Sequence, residues 1–253
     1  GVLVPRFLGG AGVGVYRVDG DLLQPLCERN DLYVVNDVAG GDVDGDGLDE
    51  VVVVGMGQVR VFDVVGGQLA EIARVDLPNE WTDRVMVGDV DGDGLAEVGV
   101  TLYAVDLGAE IGRSEVLFLQ WTGAGLTKKF EFVIDGHVGD LCAMAFEDGR
   151  PLIALEVGFG DEGGEIQLLS GQGGHVIWRG NMTDERVRAL SLDAQMAQLA
   201  IGGIDGRVHV VRLLPTGFLS QQMIQRTPGF SGLAWVSSML LFSNRSGIQT
   251  LRF

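Results

Sequence analysis

Short apolar runs alternate with glycine-rich turns along the chain. Val51–Val54, Gln58–Phe62, Glu115–Leu119, Glu165–Leu169, Gln198–Ile201 and Arg207–Val211 are rich in Val, Ile, Leu and Phe and are bounded by turn residues. That pattern predicts β-strands. Periodicity of 3.6 residues never extends beyond about two turns. Ala70–Val75 and Leu190–Met196 are the two stretches with room for one short turn of helix each.

The turns themselves repeat. One set separates two apolar runs: Gly10–Gly12, Gly55–Gly57, Gly112–Ser114, Gly163–Gly164, Asp205–Gly206 and Ser246–Gly247. Measured at Gly12, Gly57, Ser114, Gly164, Gly206 and Gly247, the spacing is 45, 57, 50, 42 and 41 residues. A second set follows at Asp19–Gly20, Gly66–Gly67, Gly123–Gly125, Gly171–Gly174 and Thr216–Gly217. Each period therefore holds about four strands, here a to d. A four-stranded antiparallel unit of roughly 40–50 residues is the blade of a β-propeller. One such sheet cannot bury both of its faces alone, whereas stacked blades can. The reading is an all-β propeller forming a single domain over 1–253. Complete blades are expected at about 31–79, 80–136, 137–183 and 184–227, with b–c–d at 2–30 and a–b–c at 229–253. That makes six units, the outer two incomplete, with a seven-bladed parent as the alternative. The first residue is Gly1 rather than Met, read as a removed leader or a trimmed chain.

Composition narrows the class. The 253 residues include 40 Gly but only 6 Pro, and the glycines follow no three-residue period, which excludes collagen. An apolar fraction of 46% excludes intrinsic disorder. No apolar run reaches the roughly 20 residues of a membrane-spanning helix, so no membrane insertion is expected. Lys plus Arg is 18 against 35 Asp plus Glu, a formal charge of −17, which argues against nucleic acid as a partner. Cys27 and Cys142 fall in predicted strands and read as small buried hydrophobes.

Part of the acid is concentrated in two copies of one motif. Asp42-Val43-Asp44-Gly45-Asp46-Gly47-Leu48-Asp49-Glu50 precedes Val51–Val54, and Asp89-Val90-Asp91-Gly92-Asp93-Gly94-Leu95-Ala96-Glu97 precedes Val98–Val100, 47 residues further on. Each places carboxylates at positions 1, 3, 5 and 9 of a short loop. Acids this close repel one another unless a cation neutralises them. The glycines at 4 and 6 let the backbone turn, and the carbonyl of Leu48 or Leu95 adds a neutral oxygen. The candidate ligands are therefore Asp42, Asp44, Asp46, Leu48 and Glu50, and Asp89, Asp91, Asp93, Leu95 and Glu97. An all-oxygen set favours Ca²⁺, at two sites, over Mg²⁺ or zinc. An EF-hand requires an acid at position 12 and flanking helices; here position 12 is Val53 or Val100 and the flanks are strands.

At these residues the chain resembles the FG-GAP (integrin α-type, or VCBS) repeat family. In that family an Asp-x-Asp-x-Asp-Gly-x-x-Asp/Glu loop joins strands a and b of a propeller blade and binds Ca²⁺. The resemblance covers about 31–105 and departs from integrins in having Glu at position 9. It implies an extracellular or periplasmic location. Later blades lack the loop. Gly136-His137 through Glu147-Asp148-Gly149 and Ile201–Val211 resemble WD-type repeats, although the Trp-Asp dipeptide is absent. Gly171–Arg179 resembles the Gly-x-x-x-Trp turn of quinoprotein propellers.

No nucleophile elbow or other catalytic spacing occurs. His137, His175 and His209 are isolated in sequence and read as structural. Glu147–Asp148 and Asp161–Glu162 read as solvated turn acids. Trp81, Trp121, Trp178 and Trp235, spaced by 40, 57 and 57 residues, read as core packing rather than a sugar-stacking ring. Arg84, Arg186 and Arg188 read as rim ion-pair residues. The function expected is a non-catalytic, calcium-stabilised propeller that binds a protein or glycan as an interaction or adhesion module. The alternatives are a propeller lyase, hydrolase or quinone-dependent dehydrogenase with an axial pocket, a carbohydrate-binding lectin, and an intracellular scaffold subunit.

Overall fold

The computed structural model describes residues 2–6, 11–19, 22–78, 80–104, 113–145, 149–158, 164–171, 173–180, 187–193, 198–203, 207–214, 217–226, 230–236, 239–244 and 247–252. Every regular element among them is a β-strand. In chain order the first sheet holds β1 (Val2–Arg6), β2 (Ala11–Asp19) and β3 (Leu22–Leu32). The second holds β4 (Asp37–Gly41), β5 (Glu50–Gly55), β6 (Gln58–Val65) and β7 (Gln68–Asp76), and the third β8 (Glu80–Gly88), β9 (Glu97–Ala104), β10 (Arg113–Trp121) and β11 (Leu126–Asp135). The fourth holds β12 (His137–Ala145), β13 (Pro151–Gly158), β14 (Gly164–Ser170) and β15 (Val176–Gly180). The fifth holds β16 (Val187–Asp193), β17 (Gln198–Gly203), β18 (Arg207–Leu214) and β19 (Gly217–Arg226). The last holds β20 (Phe230–Val236), β21 (Met239–Asn244) and β22 (Gly247–Arg252). Each sheet is an antiparallel meander in which sequential strands pair. Among the described residues the two outer sheets show three strands each and the four between them four.

The chain forms two compact units. One comprises 1–88 and 94–134, and the other 89–93 and 135–253.

Within the first unit, the second sheet buries both faces. Val51 and Val53 of β5 join Val13, Val15, Cys27 and Leu32 from the first sheet. Val52 and Val54 instead join Val85, Val98, Val100 and Leu117 from the third. Successive strand side chains point to opposite faces, so a strand covered on both sides must be apolar at every position. That is why β5 reads as an uninterrupted valine run. Each buried valine contributes roughly 1.5–3 kcal/mol relative to exposure. In the second unit, Leu152, Ala154, Ile166 and Leu168 of the fourth sheet pack against Val187, Leu190, Leu199 and Ile201 of the fifth.

Among the described residues neither candidate stretch is helical. Ala70–Val75 lies in β7 and Leu190–Asp193 in β16; residues 194–197 lie outside the described residues. The ladder supplies the reason. Ala73 pairs with Val61, and Leu190 pairs with Ile201, so each backbone satisfies its polar groups across the sheet rather than along a helix.

A side chain also links first strands of neighbouring sheets in each unit. Asp37 Oδ2 on β4 accepts the Val85 N–H of β8 at 3.0 Å. Asp140 Oδ2 on β12 accepts the Leu190 N–H of β16 at 2.6 Å. Beside the former, Asn36 Nδ2 donates to the Thr82 carbonyl at 2.6 Å.

The two cysteines are free, Cys27 buried and Cys142 half-buried, and burial pushes both thiols up. The Gly55–Gly57, Gly66–Gly67 and Gly123–Gly125 turns lie where the sequence places them. Those at Gly10, Gly20, Gly112, Gly163, Asp205–Gly206, Thr216 and Ser246 fall outside the described residues.

Candidate metal centre

Both acidic loops join the first strand of a sheet to its second. The loop of 42–49 runs from β4 to β5, and that of 89–96 from β8 to β9. Val43 and Val90 point inward, 3% and 0% exposed, and anchor each loop at its second residue. Gly45, Gly47, Gly92 and Gly94 all have φ between 81° and 90°. That left-handed region is open to glycine at no steric cost.

The first loop folds on its own carboxylates. Asp42 Oδ1 accepts the Gly45 N–H at 2.8 Å and its Oδ2 accepts the Gly47 N–H at 3.1 Å. Asp44 Oδ1 accepts from Asp46 at 3.1 Å, and Asp46 Oδ1 from Leu48 at 2.8 Å. The second loop repeats this pattern: Asp89 Oδ1 accepts from Gly92 at 2.6 Å, and Asp91 Oδ1 from Asp93 at 3.2 Å.

The glutamate at position 9 completes each group from inside the protein. Glu50 is 1% exposed and Glu97 0%. Glu50 Oε2 accepts the Val43 N–H at 2.8 Å and the Asp44 N–H at 3.2 Å. Burial pushes the Glu50 carboxyl above its ordinary range; those two N–H groups oppose the shift, and the charges of Asp44 and Asp46 add to it. Among the described residues no Lys or Arg is paired with Glu50. Glu97 Oε1 accepts from Lys129 Nζ at 2.8 Å and from Gln120 Nε2 at 3.3 Å.

Asp42, Asp44 and Glu50 each present an oxygen within 4.8 Å of the others, and so do Asp89, Asp91 and Glu97. Six of the ten sequence-predicted ligands are thus brought together, three per loop. Asp46 and Asp93 stand outside these triads. Leu48 and Leu95 turn their side chains to solvent, 64% and 49% exposed. Three convergent oxygens, one on a buried glutamate, are the donor chemistry of a hard divalent cation. Spacing alone does not reveal the Lys129 and Gln120 contacts, since Lys129 is 32 residues from Glu97.

Other singled-out residues sit as follows. Trp121 packs on the core of the first unit and Trp178 on that of the second. Trp81 is 38% exposed. His209 is buried, His137 half-buried and His175 exposed. Arg84 Nη1 lies 3.5 Å from Asp83 Oδ1, an ion pair of the kind expected. The side chains of Trp235, Arg186, Arg188, Glu147, Asp148, Asp161 and Glu162 lie outside the described residues. A cleft in the first unit is lined by Tyr33, Met56, Arg60 and Arg74 among others. Arg60 is already paired with Glu71 and Arg74 with Asp76. Among the described residues no helix is long and apolar enough to cross a membrane.

Comparison with known proteins finds a family match over the stretch that holds both loops. Residues 42–100, which span both loops, match the FG-GAP-like repeat. No curated protein matches the chain in sequence. Among solved structures, BBS1N in complex with ARL6DN superposes with a TM-score of 0.62 at 13% identity, covering 99% of this chain and 78% of that one. A chain of the nidogen/laminin complex superposes with a TM-score of 0.66 at 11% identity, covering 99% and 88%. The Dos1 propeller gives 0.59 at 11% identity, covering 99% and 64%. At these identities the likeness establishes the fold, and the chain is an all-β protein of the β-propeller fold that carries an FG-GAP-like repeat over residues 42–100.

Proposed function

We propose that the protein is a non-catalytic propeller whose two acidic loops bind calcium, and that it serves as a protein-interaction module. The observation that carries the calcium part is the convergence of Asp42, Asp44 and Glu50, and of Asp89, Asp91 and Glu97, each group within 4.8 Å. Asp46, Asp93 and the Leu48 and Leu95 carbonyls are the further oxygens each loop offers. A bound Ca²⁺ supplies two positive charges against the loop carboxylates and ties the loop to the strand that follows. The chain's own residues do the rest. Val43 and Val90 hold the loops in register, the glycines admit the turn, and Glu50 and Glu97 present a carboxylate from the buried end of a strand.

The interaction role rests on fold and surface. BBS1N and the nidogen/laminin chain are propeller-fold neighbours described in complexes with other proteins. Tyr33 is 86% exposed and Met56 46%, and both line the cleft of the first unit, which suits a protein contact more than a solvated edge. Isothermal titration of EGTA-stripped protein with CaCl₂ tests the metal reading. Two equivalents of Ca²⁺ should bind, and the double variant Asp44→Ala, Asp91→Ala should bind none; heat-silent titration of the wild type, with no change in melting temperature, overturns it.

A further inference from the structure

We infer that the two loops are unequal calcium sites, the first taking the ion tightly and the second weakened by an internal cation, Lys129. This inference rests on the calcium reading above. It starts from how each buried glutamate is compensated. Glu50 has two backbone N–H groups and no paired cation among the described residues. Glu97 has the Lys129 ammonium at 2.8 Å, with Lys129 itself only 20% exposed, and the Gln120 amide at 3.3 Å.

The strand ladder explains the asymmetry. Gln120 of β10 pairs directly with Glu97 of β9, and Lys129 reaches in from β11, the outer strand of the same sheet. In the preceding sheet Val51 pairs with Phe62, and the residue after Phe62 is Asp63, an acid rather than an amide donor. The loops also differ in charge. The first carries five acids, Asp42, Asp44, Asp46, Asp49 and Glu50. The second carries four, because Ala96 stands where the first has Asp49. With Lys129 included, the formal balance is −5 in one loop and −4 + 1 = −3 in the other.

Calcium affinity in oxygen sites rises with ligand charge and falls when a fixed cation competes for a ligand. Both differences act in the same direction. Metal binding in the second loop has less repulsion to relieve. The first loop is therefore the one whose order depends on the ion, and Lys129 is the residue that sets the difference.

The test is calcium titration of single-loop proteins. Asp91→Ala leaves the first loop intact and Asp44→Ala leaves the second. The first loop should bind Ca²⁺ at least tenfold more tightly. Lys129→Met, introduced into Asp44→Ala, should tighten the second loop threefold or more, whereas Lys129→Arg should leave its affinity within twofold. If Lys129→Met fails to fold, the comparison between the two loops and the Lys129→Arg variant still decides. Equal affinities for the two loops, or an unchanged second loop in Lys129→Met, overturn this inference and leave the calcium reading standing. Absence of binding to either loop overturns both.

Discussion

Asp37 Oδ2 accepts the Val85 backbone N–H at 3.0 Å across 48 residues of sequence. The bond ties the first strand of one sheet to the first strand of the next, just ahead of both acidic loops. Asp140 and Leu190 repeat it 50 residues apart in the second unit. An acid in this position satisfies a backbone donor that the sheet's own ladder leaves over, and it fixes how two sheets of a unit abut.

This contact makes stability depend on pH. Burial pushes the Asp37 carboxyl up to about 6, against the opposing pull of the Val85 N–H and the Arg84 charge. Its value in the folded protein lies above the 3.8 of the free side chain. The folded protein therefore holds a proton that the unfolded chain releases between about pH 4 and 6, and this contribution to stability falls as pH rises through that window. Asp37→Asn keeps an acceptor for Val85 and removes the charge. Relative to wild type it should gain about 1–3 kcal/mol between pH 4.5 and pH 7.5 in chemical denaturation. A difference that does not change with pH contradicts this account.

The turn between β14 and β15 sets a second test. A Cβ at Gly171 would overlap the Val90 carbonyl oxygen of the second acidic loop. Backbone cannot step aside as a flexible side chain can. Gly171→Ala should destabilise the protein by roughly 1–3 kcal/mol or more and weaken calcium binding at 89–97, read by thermal melting and titration. A neutral effect on both would show that the loop is not held there.

The hairpin joining β5 and β6 carries the one non-glycine residue with positive φ among those described, Met56 at 51°, followed by Gly57 at 69°. Gly55 pairs with Gln58, so the loop has two residues, the geometry that favours Asn-Gly. Met56→Asn should raise stability by about 1 kcal/mol, measured as a higher melting temperature. A fall would mean that Met56 makes a contact worth more than its backbone strain.

Much of this architecture is legible in the sequence because its causes are local. A two-residue turn demands glycine, and a strand covered on both faces demands an unbroken run such as Val51–Val54, so sheet boundaries are visible from turn spacing and apolar runs alone. The acidic loops are legible for the same reason: their carboxylates, glycines and inward valines all lie within nine residues. The room for a helical turn at Ala70–Val75 and Leu190–Asp193 is taken by strand because outer and entry strands take their conformation from pairing partners that the local pattern does not contain. The same limit hides Lys129 from Glu97, and Asp37 from Val85. Those contacts depend on strand register and sheet packing, which bring together residues 32 and 48 positions apart.

The central claim is that calcium stabilises this fold through the two loops. Melting temperatures of the wild type in EGTA and in saturating CaCl₂ test it most directly. A ligand that binds only the folded state at a hundredfold excess over its dissociation constant adds about 2.7 kcal/mol per site. For a chain of this size that corresponds to a rise of roughly 5–10 °C per site, abolished in the Asp44→Ala, Asp91→Ala double variant. Identical melting temperatures in EGTA and in calcium, in a wild type that is folded in both, would contradict the account.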